Sequence, residues 1–258
     1  MEAKKEIKDE KEKIPKKEEE KIEKIARDMV IPGEAIVSGE DYLPGEGTMR
    51  EGKKIISTRL GLVEYVNRLV KVIPVSGVYI PRRGNNVIGK ITDINFNGWQ
   101  VDISAPYSSF LSTKECFFPR MIRDPEEFLS IGDMITAKVY SIKRKGIDLT
   151  MQDRGLHKIE GGMTITINPN KVPRVIGKEG SMVNMIKMET GCNITVGQNG
   201  IIWIKGESID AELFAKDAVL LIAEKAHVEG LTGIVQEFLE KGRKGLKITP
   251  YEEKKEEI

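Results

Sequence analysis

Two cysteines and two histidines in 258 residues leave this chain with little of the chemistry that acts at neutral pH. Cys116 and Cys192 stand far apart, and neither has a second cysteine at metal-ligand spacing, which excludes a disulfide framework and a zinc ribbon. No motif pairs His157 or His227 with a nucleophile, so an autonomous active site is not expected. No apolar run approaches the length of a bilayer span, and the N-terminus, "MEAKKEIKDEKEKIPKKEEEKIEK", is charged where a signal peptide would be apolar. These absences predict a soluble, cytoplasmic protein in a reducing compartment, with no membrane partner, no metal and no cofactor. Net charge is scarce too: 41 basic residues face 40 acidic ones, so any polyanion must be held by local patches rather than by bulk attraction.

What is present is a change of pattern along the chain. Residues 1–28 alternate Lys and Glu without an apolar stripe and read as a charged flexible tail. From 29 to 70, short apolar runs are punctuated by glycine and proline, including Pro-Gly-Glu at Pro32–Glu34 and again at Pro44–Glu46, as expected of a small β-domain built on turns. Residues 71–153 hold five strand-like runs: two in "NVIGKITDINFNGWQVDISAP", joined at the "NFNG" turn, then "SSFLST", "MITAKVYSI" and "GIDLTMQ". One long irregular connection interrupts them, and together they predict a small closed barrel of the OB type. Residues 158–230 run strand, helix, Gly-x-x-Gly, helix, strand, Asn-Gly turn, strand, helix. Ser181 is the predicted cap of the helix in which Met182, Met185 and Ile186 share a face, and Phe214, Ala218, Leu221 and Ile222 line a later one. Residues 231–258 are predicted as a C-terminal helix and a second charged tail.

Two places could hold a nucleic acid. In "VIGKEGSMVNMI" the glycines Gly177 and Gly180 would let the backbone approach a sugar-phosphate chain, with Lys178, Ser181 and the helix N-terminus facing the phosphate. Glu179 opposes that attraction. In the barrel, the connection "CFFPRMIRD" interleaves Phe117 and Phe118 with Arg120 and Arg123, and the tight turn Lys143, Arg144, Lys145 adds three cations. Loops of such barrels flank the binding face, where cations hold phosphates and exposed rings stack on bases; equally, Phe117 and Phe118 could cap the barrel core. Residues 71–152 carry eleven basic against eight acidic residues, whereas 158–229 carry eight against nine, so the barrel is the stronger electrostatic candidate.

The "GIDLTM" strand and the strand order resemble the S-one type of RNA-binding barrel, and the C-terminal order resembles a KH domain of the first type. In the S-one pattern, aromatic positions fall here at Asn97 and Gln100, and a common histidine falls at Ser112. Trp99 is left open between a stacking ring and a packed or inter-domain one. A β-rich N-terminal domain, then an S-one barrel, then one KH domain, with the stretches "VIPGEAI", "GEGTMREGKKIISTRLGLVE", "YIPRRGNNVIGKITDIN" and "GQNG", resembles the RNA-binding cap subunit of the archaeal exosome. The resemblance implies a non-catalytic subunit, three copies of which sit on a hexameric ring of RNase PH-like subunits. The N-terminal domain would dock on the ring, and single-stranded RNA would thread past the S-one domains to be degraded from its 3′ end. Arg120, Arg123 and Lys143 to Lys145 would then be pore-facing phosphate contacts, and the Gly197–Gly200 turn a packing element between KH and S-one domains. An elongation factor of the Nus-A kind is the alternative, although it needs a helical N-terminal domain and two KH units. A polynucleotide phosphorylase fragment would place KH before S-one.

Overall fold

The computed structural model describes residues 29–116, 125–144, 146–226, 228 and 230–245. Both charged tails, and with them Phe117, Phe118, Arg120, Arg123 and Lys145, lie outside the described residues. The chain divides into two compact units between Ser76 and Gly77.

In the first unit, β1 (Met29–Val30), β2 (Ala35–Ser38), β3 (Leu43–Pro44), β4 (Thr48–Glu51), β5 (Lys54–Ser57), β6 (Gly61–Val66) and β7 (Leu69–Pro74) form two small sheets, ordered β1-β6-β7-β3 and β2-β5-β4. Alternation in β6 and β7 sends Val63, Val70 and Val72 inward to meet Val30 and Ile55, while Tyr42 and Tyr65, edge to face with each other, pack against that core. Proline or glycine lies at or near the end of most of these strands, while β6 ends at the left-handed Asn67.

The second unit begins with a five-stranded barrel of β8 (Asn86–Asn95), β9 (Gly98–Asp102), β10 (Ser109–Ser112), β11 (Met134–Lys143) and β12 (Gly146–Thr150). The order β12-β10-β9-β8-β11 is closed by β11–β12 pairing, and β10 runs parallel to β12. Bulges at Ile91/Asp93 and Val139/Ser141 supply the bends that closure demands. The interior is filled by Val87, Ile91, Trp99, Val101, Leu111, Ile135, Ile147 and Leu149. Trp99 is fully buried, and its indole N–H donates to the carbonyls of Pro125 (3.2 Å) and Leu129 (3.1 Å), fastening the short helix α1 (Pro125–Phe128) across the barrel end. It is a packing residue, and no base can reach it.

After β13 (Lys158–Ile159), β14 (Met163–Thr166), β15 (Asn193–Val196) and β16 (Ile201–Lys205) make an antiparallel sheet ordered β14-β16-β15. Helices α2 (Val172–Ile176), α3 (Ser181–Thr190) and α4 (Ile209–Glu224) give the β-α-α-β-β-α order of a KH domain. Ile186, Ile194, Ile202, Phe214, Ala218 and Ile222 are buried in one core. The amphipathic helix α5 (Leu231–Gly245) adds Leu231, Val235 and Leu239 to the same core and stacks Phe238 on Phe214 at 5.5 Å, so it is part of the domain's packing.

Barrel and KH domain meet through a second apolar cluster of Ile88, Ile159 and Trp203. The Gly197–Gly200 turn completes this junction. Asn199, 2% exposed, accepts from the Ile88 N–H (3.2 Å) and donates to the Ile88 carbonyl (2.7 Å) and the Ile103 carbonyl (3.0 Å). Gln198 N–H donates to the Asn86 carbonyl at 2.8 Å. Strand β9 pairs with β8 only as far as Lys90, so beyond that point the Asn199 amide serves the β8 edge as a peptide group of a neighbouring strand would. Gly197 permits this approach, because a Cβ there would lie 2.4 Å from the Asn199 Oδ1.

Candidate nucleic-acid interface

Strand register places three side chains in a row on the outer face of the barrel. Phe110 pairs with Gln100 across the antiparallel β9 and with Asp148 across the parallel β12. In β10 the inward positions are Ser109 and Leu111, which leaves Phe110 facing out, half-buried and outside the barrel core. A groove of about 310 Å³ runs beside it, lined by Gln100, Ser108, Lys143, Gly146 and Asp148 as well as the Phe110 ring. The Lys143 ammonium lies 2.6 Å from the Asp148 carboxylate in a pair exposed to water. Such a pair contributes at most about 1 kcal/mol and can be exchanged for a phosphate contact. Arg144 is exposed at the turn beyond it and has no ion pair among the described residues. A flat ring, a neutral amide and two cations around a shallow groove can stack one base, hydrogen-bond its edge and hold its phosphate.

The common histidine of the S-one pattern falls at Ser112, which pairs with Gly98, while the residue opposite Gln100 is Phe110. Outward alternation in "SSFLST" was the available signal. The described residues that flank the two cationic segments lie at opposite ends of β10. The Lys143–Gly146 turn sits at the start of β10, where Ile147 N–H donates to the Ser108 carbonyl at 2.9 Å. Cys116 and Pro125, which flank the segment carrying Arg120 and Arg123, lie past the other end of β10, on the Trp99 side. A strand of this length separates the two ends by about 13 Å.

At the KH domain, Gly177 has φ 75° and Gly180 φ 81°, and Glu179 between them also takes a left-handed conformation at φ 54°. A Cβ on Gly177 would come within 2.7 Å of the Met182 Cβ, so the first glycine is required by packing whatever the loop binds. Gly180, not Ser181, occupies the cap position; Ser181 is already helical at φ −56°, and no side chain caps the α3 N-terminus. The predicted Ser181 cap is therefore corrected: the Lys178–Gly180 turn displaces the helix start by one residue. Lys171, Arg174 and Lys178 follow one another along α2 and this turn, without ion pairs among the described residues, and their charge offsets Glu179.

Burial, reinforced by Glu115, pushes the Cys116 thiol up to about 12, and burial likewise raises that of Cys192. No group of His, Cys, Asp and Glu among the described residues could hold a metal ion, and no described helix is long and apolar enough to cross a membrane.

Comparison with known proteins places these units in one family. Residues 29–66 match the family described as the exosome complex exonuclease RRP4 N-terminal region, and residues 162–210 match the KH domain family. The exosome complex component Rrp4 of Methanobrevibacter smithii is 43% identical over 211 residues, covering 81% of this chain and 70% of its own. That of Thermococcus kodakarensis is 43% identical over 219 residues, covering 83% and 85%. A crystal structure described as an exosome complex RNA-binding protein superposes with a TM-score of 0.58 at 36% identity, over 65% of this chain and 98% of that one. The N-terminal β-unit, the closed barrel, the KH domain and more than four fifths of the sequence thus agree, and the chain belongs to the Rrp4 family of exosome complex components.

Proposed function

We propose that this chain is the non-catalytic RNA-binding subunit of an exosome, capping a ring of RNase PH-like subunits in three copies and guiding single-stranded RNA into the pore for 3′-to-5′ degradation in the cytoplasm. The observation that carries the reading is the outer groove of the barrel, where Phe110 and Gln100 lie beside Lys143, with the exposed Arg144 next in the chain. Relatives named as exosome components, and a structural neighbour described as an RNA-binding protein of that complex, support it. In the first unit Met29, Ile31, Leu43, Met49 and Ile73 are exposed apolar side chains on a small domain, and they suit docking against another subunit. Lys143, Arg144, Lys145, Arg120 and Arg123 would hold phosphates, Phe117 and Phe118 would lie along the same path, and Gly177, Lys178, Gly180 and Ser181 would form a secondary contact. The elongation-factor alternative has no support among these relatives.

Affinity purification from source cells tests the assembly, with two RNase PH-like subunits recovered per copy of this chain, six to three, as the expected result. Incubating the purified chain with RNA and inorganic phosphate tests the non-catalytic part, since release of nucleoside diphosphates would contradict it.

A further inference from the structure

The tip of the β8–β9 hairpin carries a phenyl ring that the fold does not use. Asn95 pairs with Gly98, so Phe96 and Asn97 alone form the loop, and Phe96 is 88% exposed, more than any other large apolar side chain of the described residues. Neither loop residue has a positive φ; the reversal is taken up by Gly98 at φ 149°, where a Cβ would stand 2.0 Å from the Leu111 carbonyl oxygen. A second tether comes from Thr113, whose N–H donates to the Asn97 carbonyl at 3.0 Å. The ring is thus displayed on a turn fixed from two sides, so little chain entropy remains to be lost on binding. Asn95 and Asn97 flank it with neutral, exposed side chains. The nearby carboxylate of Asp93 is turned onto its own backbone, accepting from the Ile94 N–H at 2.9 Å. Lys114, next to Thr113, is exposed and has no ion pair among the described residues.

We propose that Phe96 is a base-stacking platform for single-stranded RNA, a second station on the strand path that starts in the Phe110 groove. The inference rests on the RNA-binding reading of that groove. β9 leads from Gln100 beside the groove back to Gly98, and Phe96 lies two residues further on in the loop, a chain span of at most about 13 Å, so a strand leaving the groove along β9 arrives at the tip. A lone ring set among amides lacks the contiguous apolar area that a protein interface requires, but it suffices for one base, because every base offers a π-face. Lys114 is placed to take the phosphate of the nucleotide stacked there.

Titration of oligouridine into the full chain at several salt concentrations tests this. Phe96→Ala should bind about tenfold more weakly at every salt concentration with an unchanged salt slope, because stacking releases no counterions, whereas Phe96→Trp should bind at least as well as the parent. A 5-iodouridine oligonucleotide should crosslink to Phe96 in the unsubstituted chain, a readout independent of any folding defect in the variants. If Phe96→Ala binds RNA like the parent, the inference is overturned, and if it also fails to co-purify with other exosome components the tip is a protein contact instead. Loss of binding in Lys143→Ala/Arg144→Ala with none in Phe96→Ala would remove this inference alone. A parent chain that binds no RNA would remove the functional reading with it.

Discussion

Replacing Asn199 by alanine should uncouple the barrel from the KH domain. The substitution removes one acceptor and two donors from a site that is 2% exposed, leaving the Ile88 N–H, the Ile88 carbonyl and the Ile103 carbonyl without the partners they now have. Each buried orphan costs about 1–3 kcal/mol, and water entering the space left by the amide would recover part of it, so a net loss of about 3 kcal/mol is expected. For a unit of this size that is about 6–12 °C in melting temperature. Calorimetry should show the barrel and KH transitions separating, and hydrogen exchange at the Ile88 amide should accelerate. Asn199→Asp should be worse, because a carboxylate cannot donate to either carbonyl. Gly197→Ala should imitate the alanine variant by pushing the amide out of place. A melting shift below about 1 °C, with the Ile88 amide still protected, would refute the reasoning.

Lys143→Ala/Arg144→Ala should lower RNA affinity and flatten its salt dependence by roughly 0.7 for each phosphate no longer neutralised, measured as the slope of log affinity against log salt. Glutamate at Arg120 and Arg123 should weaken RNA capture more than Lys178→Glu in a binding titration; equal or reversed losses would move the main contact to the KH loop. Cys116 should resist thiol reagents in the native state. Its folded pKa of about 12 lies above the unfolded thiol value, so the folded state retains a proton that the unfolded state loses; stability should be intact below about pH 8.5 and fall as pH rises towards 12, and Cys116→Ser should remove that slope in alkaline denaturation curves.

The barrel and KH strands are legible in the sequence because period-two alternation and turn residues are local signals. Val87, Ile91, Val101 and Ile103 show them plainly. The site is less legible, because its content depends on register. Trp99 cannot be assigned from its neighbours, since its two acceptors lie 26 and 30 residues downstream. Phe110 gains meaning only once β10 is known to pair Gln100 on one side and Asp148 on the other. Ser181 matches a capping pattern, yet the extra turn at Lys178–Gly180 puts a left-handed glycine in the cap position. Lys143 counts as a free cation in a charge tally, whereas the fold gives it Asp148. Asn199 is recognisable as a turn former, but its service to a strand 111 residues away is written only in three dimensions.

That buried amide also sets the arithmetic of multivalent binding. A barrel and a KH domain joined by a flexible linker would meet a long RNA as two ligands at an effective concentration diluted by the linker's wandering. Locked edge to edge, they present a fixed span, so a strand long enough to bridge it reaches the second domain at no further orientational cost, and a shorter strand draws no benefit. Under the proposed function, RNA length, more than base sequence, would be what the joined domains measure.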